Sequence, residues 1–245
     1  MMRQSSEEII VIFYVKDMFI EGLMFREKFR HLSIYSTIVP NEIKMQMSRE
    51  RYIEYLDSFL IILPEDYASQ SVMWEDFYTY YGDLYESMID INNNIKCIKK
   101  LYSHIQQNID MVGIANVLDY GCGSGLAINI NTNYNLIGYE PNKRMRRQAI
   151  EKGMIVLDYQ QLHALSNDYI DAVFSSYVFH MGIKDNDIEI LSRIIRRNGI
   201  IVANFYKNIN CLEVNEAFAQ KGFNVKKIIG FDERFGCAYE YRKMW

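Results

Sequence analysis

The sequence predicts an α/β fold: a doubly wound, mostly parallel sheet over residues 114–245 with an antiparallel edge hairpin, preceded by a helical N-terminal cap over 1–113. Three observations predict it. Short apolar runs alternate with amphipathic stretches through the second part, which is the pattern of a parallel sheet with helices on both faces. A glycine-rich turn, VLDYGCGSG at 117–125, follows the first of those runs directly. The first part has almost no glycine and shows helical spacing of its apolar residues.

Taken in order, Phe19, Leu23 and Met24, then Tyr52, Leu56, Phe59 and Leu60, fall at helical intervals. They predict helices near 6–30, 48–62 and 71–110, with Pro40 and Pro64 as punctuation and a break in the last near Tyr81-Gly82 or at 92–94. In the second part, 115–120 reads as a buried strand ending in the glycine loop. A short helix is expected at 126–131, a strand at 135–140 and a helix at 142–152. Strands at 154–157 and 169–176 follow. The stretch 185–196 places Ile188, Leu191, Ile194 and Ile195 on one face, with acids early and arginines late, as the helix dipole favours. Asn198-Gly199 turns into a strand at 200–205, and a helix at 212–220 is closed by Gly222. The runs 223–231 and 235–242 form the terminal antiparallel pair.

Composition narrows the function. The chain has 245 residues, 49% of them hydrophobic, and a net charge of −4. No long basic block suggests a grip on a phosphate backbone, so DNA is not expected as a partner and RNA is disfavoured. Lys143, Arg144, Arg146 and Arg147 read as one solvated helix face. Cys97, Cys122, Cys211 and Cys237 are scattered, without metal-ligand spacing, which suits a reducing compartment and argues against structural zinc and a disulfide framework. The opening MMRQSSEE lacks the basic start of a secretory signal. The apolar run 9–15 is interrupted by Lys16 and Asp17, short of a membrane span, so a cytoplasmic protein is expected. Nineteen tyrosines and 13 phenylalanines make an aromatic-lined pocket plausible.

The glycine loop carries the chemistry. A dinucleotide fingerprint would place its third glycine where this chain has Leu126, and the Lys-Ser/Thr of a P-loop is absent. Asp119 stands two residues before the first glycine, and Glu140 follows Asp119 by 21 residues at the end of the second strand. A carboxylate there can accept hydrogen bonds from both hydroxyls of a ribose.

VLDYGCGSG, followed by IGYEPN, LDY, DAVFSSYVFH and RNGIIVANF, resembles a class I S-adenosylmethionine-dependent methyltransferase from about residue 115 to 206. The resemblance implies a Rossmann-like, seven-stranded sheet and S-adenosyl-L-methionine as cofactor, with S-adenosyl-L-homocysteine as product. It implies that Asp119, Gly121, Gly123 and Gly125 wrap the methionine part, that Glu140 binds the ribose, and that Asp158 binds the adenine amino group. Cys122, Pro141, Asn142, Tyr159, Ser175 and Ser176 are neighbouring contacts. This cofactor has no pyrophosphate, so the loop needs close backbone approach rather than an anion nest.

The segment WEDFYTYYGDLYESM resembles the tyrosine-bearing helix that precedes the first strand in small-molecule members. Tyr78, Tyr81 or Tyr85 is expected to contact the methionine carboxylate or to lie near the sulfonium, which attracts aromatic faces. After the fourth strand, His180 and Tyr177 are the catalytic candidates, His180 as base or as orienting group. His31, His104 and His163 read as core or surface residues, with His31 a possible pocket wall. The Asp/Asn-Pro-Pro-Tyr/Phe motif of amino-methylating enzymes acting on nucleobases or glutamine is absent, and that place reads SSYV. The expected function is methyl transfer to an N or O atom of a small molecule. A tRNA or protein acceptor, and a non-catalytic cofactor-binding protein, are the alternatives.

Overall fold

The computed structural model describes residues 9–14, 20–46, 52–55, 59–109, 115–130 and 134–244. Lys16, Asp17, Phe19 and Leu56, with the stretches 1–8 and 110–113, lie outside them. The chain divides into two compact units, Met1–Ile89 and Asp90–Trp245.

The first unit is built on strands, which corrects the expectation of a wholly helical N-terminal cap. Strands β1 (Ile9–Tyr14), β2 (Met24–Phe29), β3 (Leu32–Thr37), β4 (Tyr52–Tyr55) and β5 (Phe59–Ile62) form a sheet in the order β2-β3-β1-β5-β4. Helix α1 spans Pro40–Gln46, α2 spans Tyr67–Tyr81, and a 3₁₀ turn leads into α3, Tyr85–Met88. The runs IIVIFY and FLII are rich in β-branched and aromatic residues, which fit a pleated surface better than a helix. Both faces of this sheet are covered. Val11, Phe13, Tyr35, Leu60 and Ile62 cluster with Ile43 of α1, while Phe59 meets Phe77 of α2 edge-on, ring centroids 5.3 Å apart. A strand buried on both sides loses polar alternation, and its residues then match helical spacing by chance. At the edge, β2 (MFREKF) is exposed and charged, as an unpaired strand must be to resist further pairing. The turn from β2 to β3 is fastened by buried Asp76 of α2, which accepts from Arg30 at 3.1 Å and pairs with His31 Nδ1 at 2.8 Å. His31 is therefore a structural partner of Asp76.

The second unit begins with α4 (Ile91–Asn108), capped by Asp90 accepting from the Asn93 amide at 3.0 Å. Its buried stripe, Cys97, Ile98, Leu101, Tyr102 and Ile105, packs on the sheet with this unit rather than with the first part, where the sequence reading placed it. Strands β6 (Asn116–Tyr120), β7 (Asn135–Tyr139), β8 (Ile155–Leu157), β9 (Ile170–Ser175) and β10 (Ile195–Phe205) are mutually parallel. Helices α5 (Lys143–Glu151), α6 (Tyr159–Ala164), α7 (Asp185–Ile194) and α8 (Cys211–Gln220) alternate with them. The terminal hairpin of β11 (Phe223–Lys227) and β12 (Cys237–Lys243) adds two antiparallel strands, and β12 slots in beside β10. The sheet order is β11-β12-β10-β9-β6-β7-β8, the seven strands that the resemblance implies. Chain order reverses at β6, so the carboxyl ends of β6, β7 and β9 open a crevice where doubly wound folds bind ligands.

One face of this sheet is filled by Leu118, Tyr120, Ile137, Tyr139, Phe179, Ile188, Leu191, Phe205 and Phe218. On α4, His104 Nε2 lies 2.8 Å from Glu240 on β12, and that contact pulls the Glu240 carboxyl below its usual range. Among the described residues no helix is long and apolar enough to cross a membrane. Ile201→Ala, at a fully buried centre of β10, is expected to cost about 3 kcal/mol, read as a lower midpoint in urea unfolding.

Candidate functional site

The loop after β6 is shaped by three left-handed glycines and one carbonyl. Gly121, Gly123 and Gly125 have φ of +76°, +54° and +82°, a region that side chains occupy at a cost. The Tyr139 carbonyl, at the end of β7, accepts from Gly121 N at 2.8 Å and Cys122 N at 2.9 Å. Space forbids larger residues at two of these positions. A Cβ on Gly121 would lie 2.4 Å from Val178 Cγ2, and one on Gly125 would lie 2.8 Å from the Ala149 Cβ. Close packing of β6 loop, α5 and the turn after β9 thus depends on bare backbone.

Glu140 completes the loop. Its carboxylate accepts from Gly123 N at 3.0 Å through Oε2 and from Asn142 N at 2.8 Å through Oε1. A carboxylate offers several acceptor sites, the chemistry that binding hydroxyl donors requires. Asn142 caps α5, its Oδ1 accepting from the amides of Arg144 and Met145, while Pro141 is exposed. Arg146 reaches back to the Glu140 and Pro141 carbonyls at 2.6 and 2.9 Å.

Asp119 is 3% exposed, and burial, then the charge of Glu140, hold its carboxyl well above the usual carboxylate range. A cation arriving beside two such acids lowers the cost of keeping both ionised. Cys122, buried beneath the loop, has its thiol pushed up by desolvation and by these acids. At the end of β8, Asp158 caps α6 in a reciprocal box with Gln161: Asp158 Oδ1 accepts from Gln161 N, and Gln161 Oε1 accepts from Asp158 N, both at 2.9 Å. Tyr159 is exposed and lies over the His163 ring.

At the end of β9, Ser175 Oγ donates to the Tyr120 carbonyl at 2.8 Å, and Ser176 neighbours the Cys97 thiol. Tyr177 is left-handed at φ +58° and is held there by fully buried Asn204, whose Oδ1 accepts from Tyr177 N at 2.8 Å while its Nδ2 donates to the Phe235 carbonyl at 2.7 Å. Burial, then Cys97, pushes the Tyr177 phenol up. His180 is 2% exposed, and neither ring nitrogen has a hydrogen-bond partner among the described residues. Desolvation lowers it to about 3, so it is neutral at physiological pH. The Tyr206 ring meets it edge-on at 5.6 Å.

The second unit therefore gathers Asp119, the loop, Glu140, Pro141, Asn142, Asp158, Tyr159, Ser175, Ser176, Tyr177 and His180 at the carboxyl ends of its strands. Tyr78 and Tyr81 belong to the first unit, in an aromatic cluster with Trp74, Phe77, Tyr85 and Phe59. Val178, Ala149 and Asn204 were missed on sequence. The DAVFSSYVFH and RNGIIVANF matches pass through Val178 and Asn204 without assigning them a role, and nothing in the sequence flags Ala149.

Known proteins share this fold. Residues 118–203 match the family described as a methyltransferase domain. A chain of the complex between the Haloferax volcanii Trm112 methyltransferase activator and a methyltransferase is similar in fold at 14% identity and a TM-score of 0.51, over 69% of this chain and 98% of that one. A SAM-dependent methyltransferase from Archaeoglobus fulgidus is similar at 15% and 0.50, over 68% and 99%. Magnesium protoporphyrin IX methyltransferase from Synechocystis PCC 6803, with bound SAM, is similar at 16% and 0.50, over 71% and 97%. No curated protein sequence matches the chain. The matched segment and the shared fold liken the second unit to class I, Rossmann-like methyltransferases. Residues 118–203 thus carry a segment like an enzyme's methyltransferase domain, and one solved structure of similar fold holds SAM.

Two outcomes follow from the site's packing. Gly125→Ala combines a left-handed φ with a collision at Ala149 and is expected to cost about 2 kcal/mol in unfolding experiments. His180, neutral when folded, binds a proton near its ordinary 6.5 once unfolded. Its contribution is complete above pH 6.5 and is lost progressively as pH falls from there toward 3. Between pH 7 and 5 the native protein should lose about 2 kcal/mol more than a His180→Gln variant. Urea midpoints of the pair at both pH values give that difference.

Proposed function

We propose that the chain transfers a methyl group from S-adenosylmethionine to an N or O atom of a small molecule in the cytoplasm. The observation that carries the choice of acceptor is the state of the one basic helix. In α5, Arg146 is turned inward onto two carbonyls and Arg147 pairs with Glu151 at 3.6 Å. With Arg146 held inward, fewer cations of this helix face outward to neutralise phosphates.

The residues present fit the cofactor. Bare backbone at Gly121, Gly123 and Gly125 admits close approach. Glu140 and Asp158, at the ends of adjacent strands, are carboxylates of the kind that accept from ribose hydroxyls and an adenine amino group. Asp119 supplies buried negative charge toward ammonium and sulfonium. Cys122, Pro141, Asn142, Tyr159, Ser175 and Ser176 form the surrounding wall. When bound, the cofactor supplies an electrophilic methyl on sulfur.

The protein's share of the work is then positioning and exclusion of water. Asn204 fixes the backbone of Tyr177 so that the turn projects one phenol and one imidazole. Neutral His180, with both nitrogens unpaired, orients the acceptor by accepting from its O–H or N–H through one nitrogen. At about 3 it holds a proton poorly, so it aligns the nucleophile's lone pair and leaves the released proton to pass to water.

Glu140→Gln tests the cofactor site. The amide keeps the size but loses the charge and one acceptor, so S-adenosylmethionine affinity should fall about tenfold to a hundredfold in calorimetry. Unchanged affinity would remove Glu140 from the ribose site.

A further inference from the structure

His180 is buried at 2% exposure, and neither ring nitrogen has a hydrogen-bond partner among the described residues. Buried polar groups in folded proteins are almost always paired, so two orphaned nitrogens mark a place built for a polar ligand. No ligand reaches them until a covering group moves aside.

Tyr206 is the covering group placed to move. Its ring meets the His180 ring edge-on at 5.6 Å and the Tyr177 ring edge-on at 6.2 Å, and the Lys207 ammonium lies over its face at 5.3 Å. Phe179, the other ring of this turn, is fully buried and stacked on Phe218 at 5.7 Å. Tyr206 is only half-buried and begins a strained segment. Lys207, Asn208 and Asn210 all take left-handed φ, at +50°, +58° and +55°, which side chains adopt at a cost. Two side chains hold the segment there: Asn208 Oδ1 accepts from Cys237 N at 2.9 Å, and Asn210 Nδ2 donates to the His180 carbonyl at 2.8 Å. Strain kept by a few hydrogen bonds suits a segment that shifts when a ligand binds.

The space that Tyr206 fills has the chemistry of a phenol site. The Tyr177 ring bounds it, an ammonium favours an electron-rich π face within it, and a neutral imidazole beside it accepts from a hydroxyl. We propose that the acceptor is a hydroxylated aromatic ring, and that the Tyr206 ring holds its place against Tyr177 and His180 until it binds. The arriving ring takes over the contacts with Tyr177 and Lys207, and its hydroxyl donates to a His180 nitrogen. Tyr206 is then an internal competitor of the acceptor rather than a wall of its pocket. That the bound ring is the methyl acceptor rests on the function proposed above; the exchange of one ring for another does not.

The probe is para-cresol, the tyrosine side chain as a free molecule, titrated by calorimetry into the full chain without cofactor. It should bind about tenfold more tightly than its ring-saturated analogue, which keeps the hydroxyl and loses the π face. Tyr206→Ala should tighten para-cresol binding about tenfold, because the competitor is gone, while Tyr206→Phe keeps the ring and should change it less than about twofold. Weaker binding by a folded Tyr206→Ala chain would make the ring a wall and overturn the proposal. Equal affinity for para-cresol and the saturated analogue would also overturn it. Nitrogen NMR of labelled histidine in the unaltered chain needs no folded alanine variant. The His180 signals, assigned by their loss in His180→Gln, should shift when para-cresol is added; unmoved signals overturn the proposal. S-adenosylmethionine binding is measured separately on the same chain. Its failure removes the methyltransferase reading while the para-cresol titration still decides the ring exchange.

Discussion

The tie between Glu140 and the amide of Gly123 is the interaction on which the rest of the second unit's site depends. One carboxylate at the end of β7 reaches across to the loop after β6 and, through its other oxygen, fixes the amide that begins the capping turn of α5. Two strand ends and one helix start are thereby set by a single side chain. Charge-assisted bonds of this kind are stronger than neutral ones, and here they are shielded from water. The Tyr139 carbonyl does the complementary work, turning the chain at Gly121 and Cys122 so that the loop folds back over β7.

That arrangement has an electrostatic cost which the function explains. Asp119 is buried beside Glu140, and two carboxylates in a low-dielectric crevice oppose each other's ionisation. A fold selected for stability alone would not keep both. Their coexistence makes sense for a crevice that receives a cationic ligand. The turn after β9 is built oppositely. His180 sits neutral beside the Tyr206 ring, with no charge to balance, so the two regions differ sharply in potential.

The second unit was readable from sequence because its signals are local. Continuous apolar runs gave the parallel strands, Gly121, Gly123 and Gly125 gave the turn, and Asp119, Glu140 and Asp158 lay at strand ends within a short span. The first unit was misread for an equally physical reason. Strands β1 and β5 are covered on both faces, so Ile9–Tyr14 and Phe59–Ile62 show no alternation. Phe59 and Leu60 then fell into line with Tyr52 as though on one helix face. What no local pattern reveals is contact across long separations. Asn204 beneath Tyr177 and Val178 against Gly121 are products of the assembled sheet, and β12 beside β10 is a choice of topology rather than of period.

Gly138 offers a last consequence. It lies on β7 directly under the loop, and a Cβ there would sit 2.7 Å from the Cys122 sulfur and 3.0 Å from the Met154 methyl. The thiol of Cys122 occupies the volume that a side chain at 138 would need. Positions 122 and 138 therefore share one allotment of space, so that a methyl gained at one must be surrendered at the other. A larger residue at 138 therefore calls for a smaller one at 122, or the loop above β7 must shift.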